Sequence, residues 1–210
     1  IVEDFWRREF YPGPPIVVQY FLDQGASPET LLRQIEPHLG KPYLHIVTPN
    51  SAADGPTLEQ AFNVAFQQAR DLWRQDRPAI EELLLTSPAL NRQKYNPKSI
   101  PGWLEAMEIY LSADPPRLAK FDKFAQFTPT KLHASLKKGQ PAPHHAFFDA
   151  CETLNAACDA LADYCRYQIP VKLLDYCNNE LSVRKRREQV QSYDDLLLDL
   201  RAALHSSRRG

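Results

Sequence analysis

Two short stretches of this chain carry cations at spacings that suit a row of phosphates. In the first, Arg92, Lys94 and Lys98 flank Tyr95 in a connection broken by Pro88, Pro97 and Pro101; in the second, Lys131, Lys137 and Lys138 lie between Pro129 and Pro141. A phosphate backbone asks for one cation within reach of each phosphate, plus an occasional polar or aromatic group, and for no particular base edge. Arg92, Lys94, Tyr95, Lys98, Lys131, Lys137 and Lys138 are therefore the candidate nucleic-acid contacts. The competing reading is a solvated charged face. That reading is favoured for a third basic run, Arg184-Lys185-Arg186-Arg187, because Glu180 and Glu188 stand near enough for ion pairs along a helix.

Other reactive residue types point to structure. Cys151, Cys158 and Cys165 recur every seven residues, so successive Cα atoms on a helix would lie roughly 10 Å apart, beyond the reach of a disulfide. The spacing is also too wide for a zinc pair of the C-x-x-C kind. With Phe147, Leu154 and Leu161 they alternate steps of four and three, the seam of a helix packed on another helix. His144 and His145 are adjacent and point apart, with no neighbouring Cys or carboxylate pair to complete a metal site. Asp194 and Asp195 follow Ser192 where a helix start favours negative charge. The chain contains no G-x-x-x-x-G-K-[ST], G-x-S-x-G or H-E-x-x-H sequence, so no catalytic residue, cofactor site or metal site is assigned.

The elements that must position these residues are expected to be helical, in one domain. Hydrophobic residues make up 43% and charged residues 24% of the 210, ordinary values for a folded globular chain. The net charge of −1 means that any affinity for nucleic acid must come from a local patch. No apolar run is long enough for a membrane span and no signal peptide is evident, so a cytoplasmic protein with reduced cysteines is expected. The first residue is not Met and the closing Ser206-Ser207-Arg208-Arg209-Gly210 has no terminal device, so both ends are expected to be cuts in a longer protein.

Ser27-Pro28-Glu29 reads as a helix start, with the helix running to about Leu39. Lys41–Thr48 is the one strand candidate. Thr57-Leu58-Glu59-Gln60 fits a capping box opening a helix that carries Phe62, Phe66, Ala69, Leu72 and Trp73 toward a kink or break at Pro78, with Ile80–Leu85 helical beyond it. Trp103–Leu111 reads as a short amphipathic helix, residues 114–145 as a broken, positively charged region, and Phe147–Tyr167 as a long helix. Pro170 opens another helix, and Ser192-Tyr193-Asp194-Asp195 caps a final one whose apolar face is Leu197, Leu200 and Leu204. The fold class is mainly α, an irregular helical assembly with Pro-rich connections and at most one short strand or hairpin.

Three passages carry a resemblance. They are Asp4-Phe5-Trp6-Arg7-Arg8-Glu9-Phe10-Tyr11-Pro12 followed by Ala26-Ser27-Pro28-Glu29-Thr30-Leu31-Leu32; the stretch Lys131–Gly139 leading through Pro143-His144-His145 to Phe147-Phe148-Asp149-Ala150; and Arg184-Lys185-Arg186-Arg187 leading to Ser192-Tyr193-Asp194-Asp195-Leu196-Leu197. Together they resemble the RecB family, the β subunits of bacterial exodeoxyribonuclease V, which are superfamily 1 helicase-nucleases of UvrD type. Ala146 stands where the family often has Pro.

The resemblance implies that residues 1–190 are a 1B-like accessory subdomain and that 191–210 begin the return into motor domain 1A, with Ser192, Tyr193, Asp194 and Asp195 as the re-entry motif. Such a segment would position duplex DNA ahead of the motor. It would not hydrolyse ATP or cut DNA itself. For the parent protein the family implies an ATP-dependent, Mg²⁺-dependent helicase and nuclease acting with RecC and RecD subunits in double-strand break repair and recombination. The alternative is a protein-interaction module, with Trp6, Tyr11, Trp73 and Trp103 forming an apolar surface that docks RecC or the motor core; burial in the domain's own core is the default reading for each of these aromatics.

Overall fold

The structure, a computed structural model, describes residues 1–41, 44–47, 54–191 and 193–206. Among them the chain forms α1 (Val2–Phe5), α2 (Pro15–Asp23), α3 (Pro28–Ile35), α4 (Gly55–Thr86), α5 (Ile100–Ser112), α6 (Pro129–His133), α7 (Ala146–Asp163), α8 (Ile169–Glu188) and α9 (Tyr193–Ser206). The fold is mainly α, and the one β pairing among the described residues is an isolated antiparallel bridge between Leu90 and Leu136. Leu44–Val47 form no strand, contrary to the expectation for Lys41–Thr48, since an extended segment needs a partner and none is present among the described residues; Pro42, Tyr43 and Thr48 lie outside the described residues.

The chain divides into two compact units, one comprising Ile1–Gly13, Leu22–Pro49 and Cys165–Gly210, the other Pro14–Phe21 and Asn50–Tyr164. In the second unit the principal packing is α4 against α7. The Asp54 side chain caps α4 by accepting from the Thr57 amide at 3.0 Å, so the helix begins three residues before the box expected at Thr57. It then runs unbroken through Pro78. A mid-helix proline removes one hydrogen bond and crowds the preceding turn, a cost of about 3 kcal/mol. Here Ile80 and Leu84, both fully buried beyond it, hold the helix on course.

The α7 helix is capped by His145, whose Nδ1 accepts from the Phe147 amide at 3.1 Å. The two helices run antiparallel. Trp73 meets Phe147 with ring centroids 5.2 Å apart at one end, and at the other Gly55 lies so close to the Tyr164 ring that a Cβ would sit 2.8 Å from it. The seam residues Phe147, Cys151, Leu154, Cys158, Leu161 and Cys165 are all buried, as their heptad spacing predicts. The helix expected to reach Tyr167 gives way at Tyr164–Gln168 to a π-helical turn.

The Pro-broken region between α5 and α7 is not a loose connection. Its Phe121, Phe124 and Phe127 join a chain of edge-to-face rings that reaches Tyr110 of α5 and Trp73 of α4. In the first unit, α1, α3 and α8 pack mutually. The Ser27–Thr30 capping box opens α3 as expected, Phe5 meets Tyr176 with centroids 5.5 Å apart, and the Gly40 amide donates to Asn178 Oδ1 at 3.1 Å. Leu197, Leu200 and Leu204 of α9 are exposed; Ser192, expected to cap that helix, lies outside the described residues.

All four cysteines are free and buried. Burial pushes the Cys158 thiol up to about 11 and that of Cys165 to about 12, so both are protonated and unreactive near neutrality. A thiol reagent at pH 8 should therefore label Cys151, Cys158 and Cys165 only after denaturation, and rapid native labelling of all three would contradict the packing. Leu154→Ala or Leu161→Ala should cost about 2–5 kcal/mol in denaturant titration, the usual range for emptying a filled core position.

Candidate nucleic-acid interface

The two basic stretches, some 40 residues apart in sequence, are brought together in one unit. α4 ends at Thr86, and the chain that leaves it pairs at once with the segment following α6. The Asn91 amide donates to the Ser135 carbonyl at 2.9 Å, the Lys137 amide donates to the Ala89 carbonyl at 2.8 Å, and Leu90 bridges Leu136 between them. Lys94 adds a side-chain link, its Nζ donating to the Ala134 carbonyl at 2.8 Å.

Local turn chemistry shapes each stretch. Asn91 Oδ1 accepts from the Gln93 amide and Asn96 Oδ1 from the Lys98 amide, each at 2.9 Å, and the Ser99 amide closes an Asn-Pro-Lys-Ser turn on the Asn96 carbonyl at 2.8 Å. On the other side the Gln140 amide returns to the Lys137 carbonyl. This turn contains Gly139 at φ +77°, a left-handed position that a glycine meets without strain.

Lys98, Lys131, Lys137 and Lys138 are exposed, and none of them makes an ion pair among the described residues. Lys94 is exposed while tethered to Ala134. Between residues 88 and 101, and again between 128 and 148, the sequence holds no Asp or Glu. The result is a basic surface whose two stretches contribute no acid of their own, on a chain whose net charge is −1; the Glu152 carboxylate of α7 reaches it, accepting from the Thr130 amide at 3.0 Å.

Two of the seven candidate contacts are engaged within the protein itself. Tyr95 is fully buried; its hydroxyl donates to the Gln126 carbonyl at 2.7 Å and its ring meets Trp103 edge-on at 5.6 Å. Burial raises its pKa well above the ordinary phenol value. An aromatic among cations suggested contact with a ligand, but its large apolar area is used inward. Arg92 is half-buried, donating to the Leu84 carbonyl at 2.7 Å and to the Ser87 carbonyl, so its guanidinium closes the end of α4.

The remaining groups singled out in the sequence fall elsewhere. His145 caps α7 and its Nε2 lies 3.6 Å from Asp76, while exposed His144 lies 3.8 Å from Asp149. Among the described residues no three His, Cys, Asp or Glu side chains converge to hold a metal. In the first unit, Arg184 pairs with Asp4 at 3.4 Å and Lys185 with Asp195 at 2.7 Å, so the expected structural role of the quartet is seen at these two residues with partners other than Glu180 and Glu188. Tyr193 is exposed. Trp73 is buried, the default reading for it, and donates to Glu108 at 2.9 Å; Trp6 and Trp103 are half-buried and Tyr11 is exposed. No helix among the described residues is long and apolar enough to cross a membrane.

No protein-family model matches the chain. Over 205 residues it is 26% identical to the RecBCD enzyme subunit RecB of Escherichia coli (strain K12), a match covering 97% of this chain and 17% of that protein. The relationship is RecB-like. The match runs nearly end to end through this chain, so it takes in both units and both basic stretches.

Tyr95→Phe should lower stability by about 1–2 kcal/mol in denaturant titration, because the buried hydroxyl and the Gln126 carbonyl lose each other as partners. No loss at all would mean that the hydroxyl is replaceable by water.

Proposed function

We propose that this chain is a duplex-holding accessory segment of a RecB-like, ATP-dependent DNA helicase-nuclease acting in double-strand break repair and recombination in the cytoplasm. Residues 1–190 would be a 1B-like subdomain and residues 191–210 the start of the return to motor domain 1A. ATP and Mg²⁺ would be held by other parts of the parent protein, and RecC and RecD would be its partners.

The observation that carries this reading is the meeting, at the Leu90–Leu136 bridge, of two basic stretches that hold no acid of their own. Lysine ammonium groups on long stems meet phosphates as point charges without fixed geometry, and the cations here come with no exposed aromatic from either stretch. Such a surface favours backbone contact without sequence preference. Its site would be Lys94, Lys98, Lys131, Lys137 and Lys138, with Arg92 and Tyr95 behind it.

A second reading is supported by the first unit. Leu196, Leu197, Leu200 and Leu204 of α9, and Tyr11 after α1, are exposed, an apolar surface suited to docking RecC or the motor core. The two readings concern different units of the chain.

If roughly three to five phosphates are neutralised, the log-log salt slope of duplex binding should be about −3 to −4.5, from about −0.9 per contact. Lys131, Lys137 and Lys138 changed together to Ala should flatten that slope while leaving the melting temperature nearly unchanged, because exposed lysines contribute little to folding. A mutant with normal melting and the wild-type slope would move the contacts elsewhere. A wild-type chain with no binding at low salt would favour the docking reading.

A further inference from the structure

Arg92 has the charge of a phosphate ligand and the surroundings of a structural one. Its Nη1 donates to the Leu84 carbonyl at 2.7 Å and its Nη2 to the Ser87 carbonyl. Leu84 is in the last turn of α4, where carbonyls have no partner within the helix. The planar guanidinium can face two such oxygens at once, which an ammonium group does less well. Its attachment lies directly beside the strand-like contact between the two stretches: Leu90 bridges Leu136, the Asn91 amide holds the Ser135 carbonyl, and Lys94 holds the Ala134 carbonyl.

We infer that Arg92 is a positioning residue for the basic surface, tying the 88–101 connection to the end of α4 so that Lys94 and Lys98 are held beside Lys131, Lys137 and Lys138. This rests on the duplex-holding reading for its functional consequence but not for its structural one. Without the fork, the connection keeps the bridge, its neighbouring amides and the buried Leu90 and Tyr95, but loses its side-chain tie to the end of α4. The lysines would still be present. Ordering them on a phosphate backbone would then carry an added entropic cost at binding.

The molecule supplies its own control. Arg70 donates from Nε to the Leu111 carbonyl at 2.7 Å and from Nη2 to the Ala113 carbonyl at 2.6 Å. It closes the end of α5 as Arg92 closes that of α4, and belongs to neither basic stretch. Arg70→Ala therefore removes a comparable fork without touching the surface.

The test compares the wild-type chain with Arg92→Ala, Arg92→Lys and Arg70→Ala in duplex binding across a salt series, in melting temperature, and in amide exchange at Asn91, Lys94 and Lys137. Arg92→Ala should bind about five- to tenfold more weakly with an unchanged salt slope, and exchange at the three amides should accelerate. Arg92→Lys should recover only part of the loss, and Arg70→Ala should bind as wild type even if it melts as low. A slope flattened by about 0.9 in Arg92→Ala, fully restored by Arg92→Lys, would make Arg92 a phosphate contact and overturn the inference. So would equal loss of binding in Arg70→Ala, which would trace the effect to stability alone. Should the wild-type chain bind no duplex, the duplex-holding reading fails; amide exchange then decides the positioning role, and unaccelerated exchange in Arg92→Ala overturns it.

Discussion

The antiparallel packing of α4 on α7 is the constraint from which the second unit follows. Gly55 against Tyr164, just past the end of α7, and Trp73 against Phe147 fix how the two helices lie along one another. The long connection between them must then return from the end of α4 to the start of α7. It does so through α5 and the phenylalanine cluster at 121–127, whose rings extend the core begun by Trp73. The basic stretches sit on this return path, one at each side of that cluster in sequence. Their meeting at Leu90 and Leu136 is thus a consequence of how the return is packed.

Much of this was legible in the sequence, and the parts that were not share a cause. The seam from Phe147 to Cys165 could be read because helical spacing of apolar residues reports burial directly. The Ser27 cap could be read because its partners lie within three residues. By contrast, Pro78 suggested a break by its local cost, while the burial of Ile80 and Leu84 that outweighs it is a tertiary property. Residues 114–145 read as a charged connection because prolines and lysines dominate the eye, although Phe124, Phe127 and Leu132 are buried; irregular backbone leaves no period to betray them. Tyr95 and Arg92 were placed among the ligand contacts by composition. Only the positions of Gln126, Leu84 and Ser87 in space reveal what they hold.

The cationic surface is built from two kinds of residue. Lys98, Lys131, Lys137 and Lys138 are exposed and make no ion pair among the described residues, and a surface of this kind gains by having little to rearrange beneath it. The parts beneath it are hydrogen-bonded in fixed directions: the Asn91 and Asn96 turns, the Tyr95 hydroxyl, and the Arg92 fork. Geometry-specific residues build the base and point-charge residues stand on it.

The distribution of charge between the units carries the same logic further. In the first unit, Arg7 pairs with Glu3, Arg184 with Asp4 and Lys185 with Asp195, so these cations are matched by acids of their own unit. In the second, Arg77 and Lys120 are matched by Glu108 and Asp159, yet the acid-free stretches leave Lys98, Lys131, Lys137 and Lys138 without such partners. Exposed pairs contribute little to stability, so the matching matters chiefly for the field around the molecule. Where cations are neutralised locally, the potential falls off within a short distance. Where they are not, it extends outward to about a Debye length, ~8 Å at physiological salt. A chain of net charge −1 can therefore present an attractive field to phosphates only where cations outnumber the acids near them, and the bridged pair of basic stretches, with five lysines and Glu152 at the Thr130 amide, has that local excess.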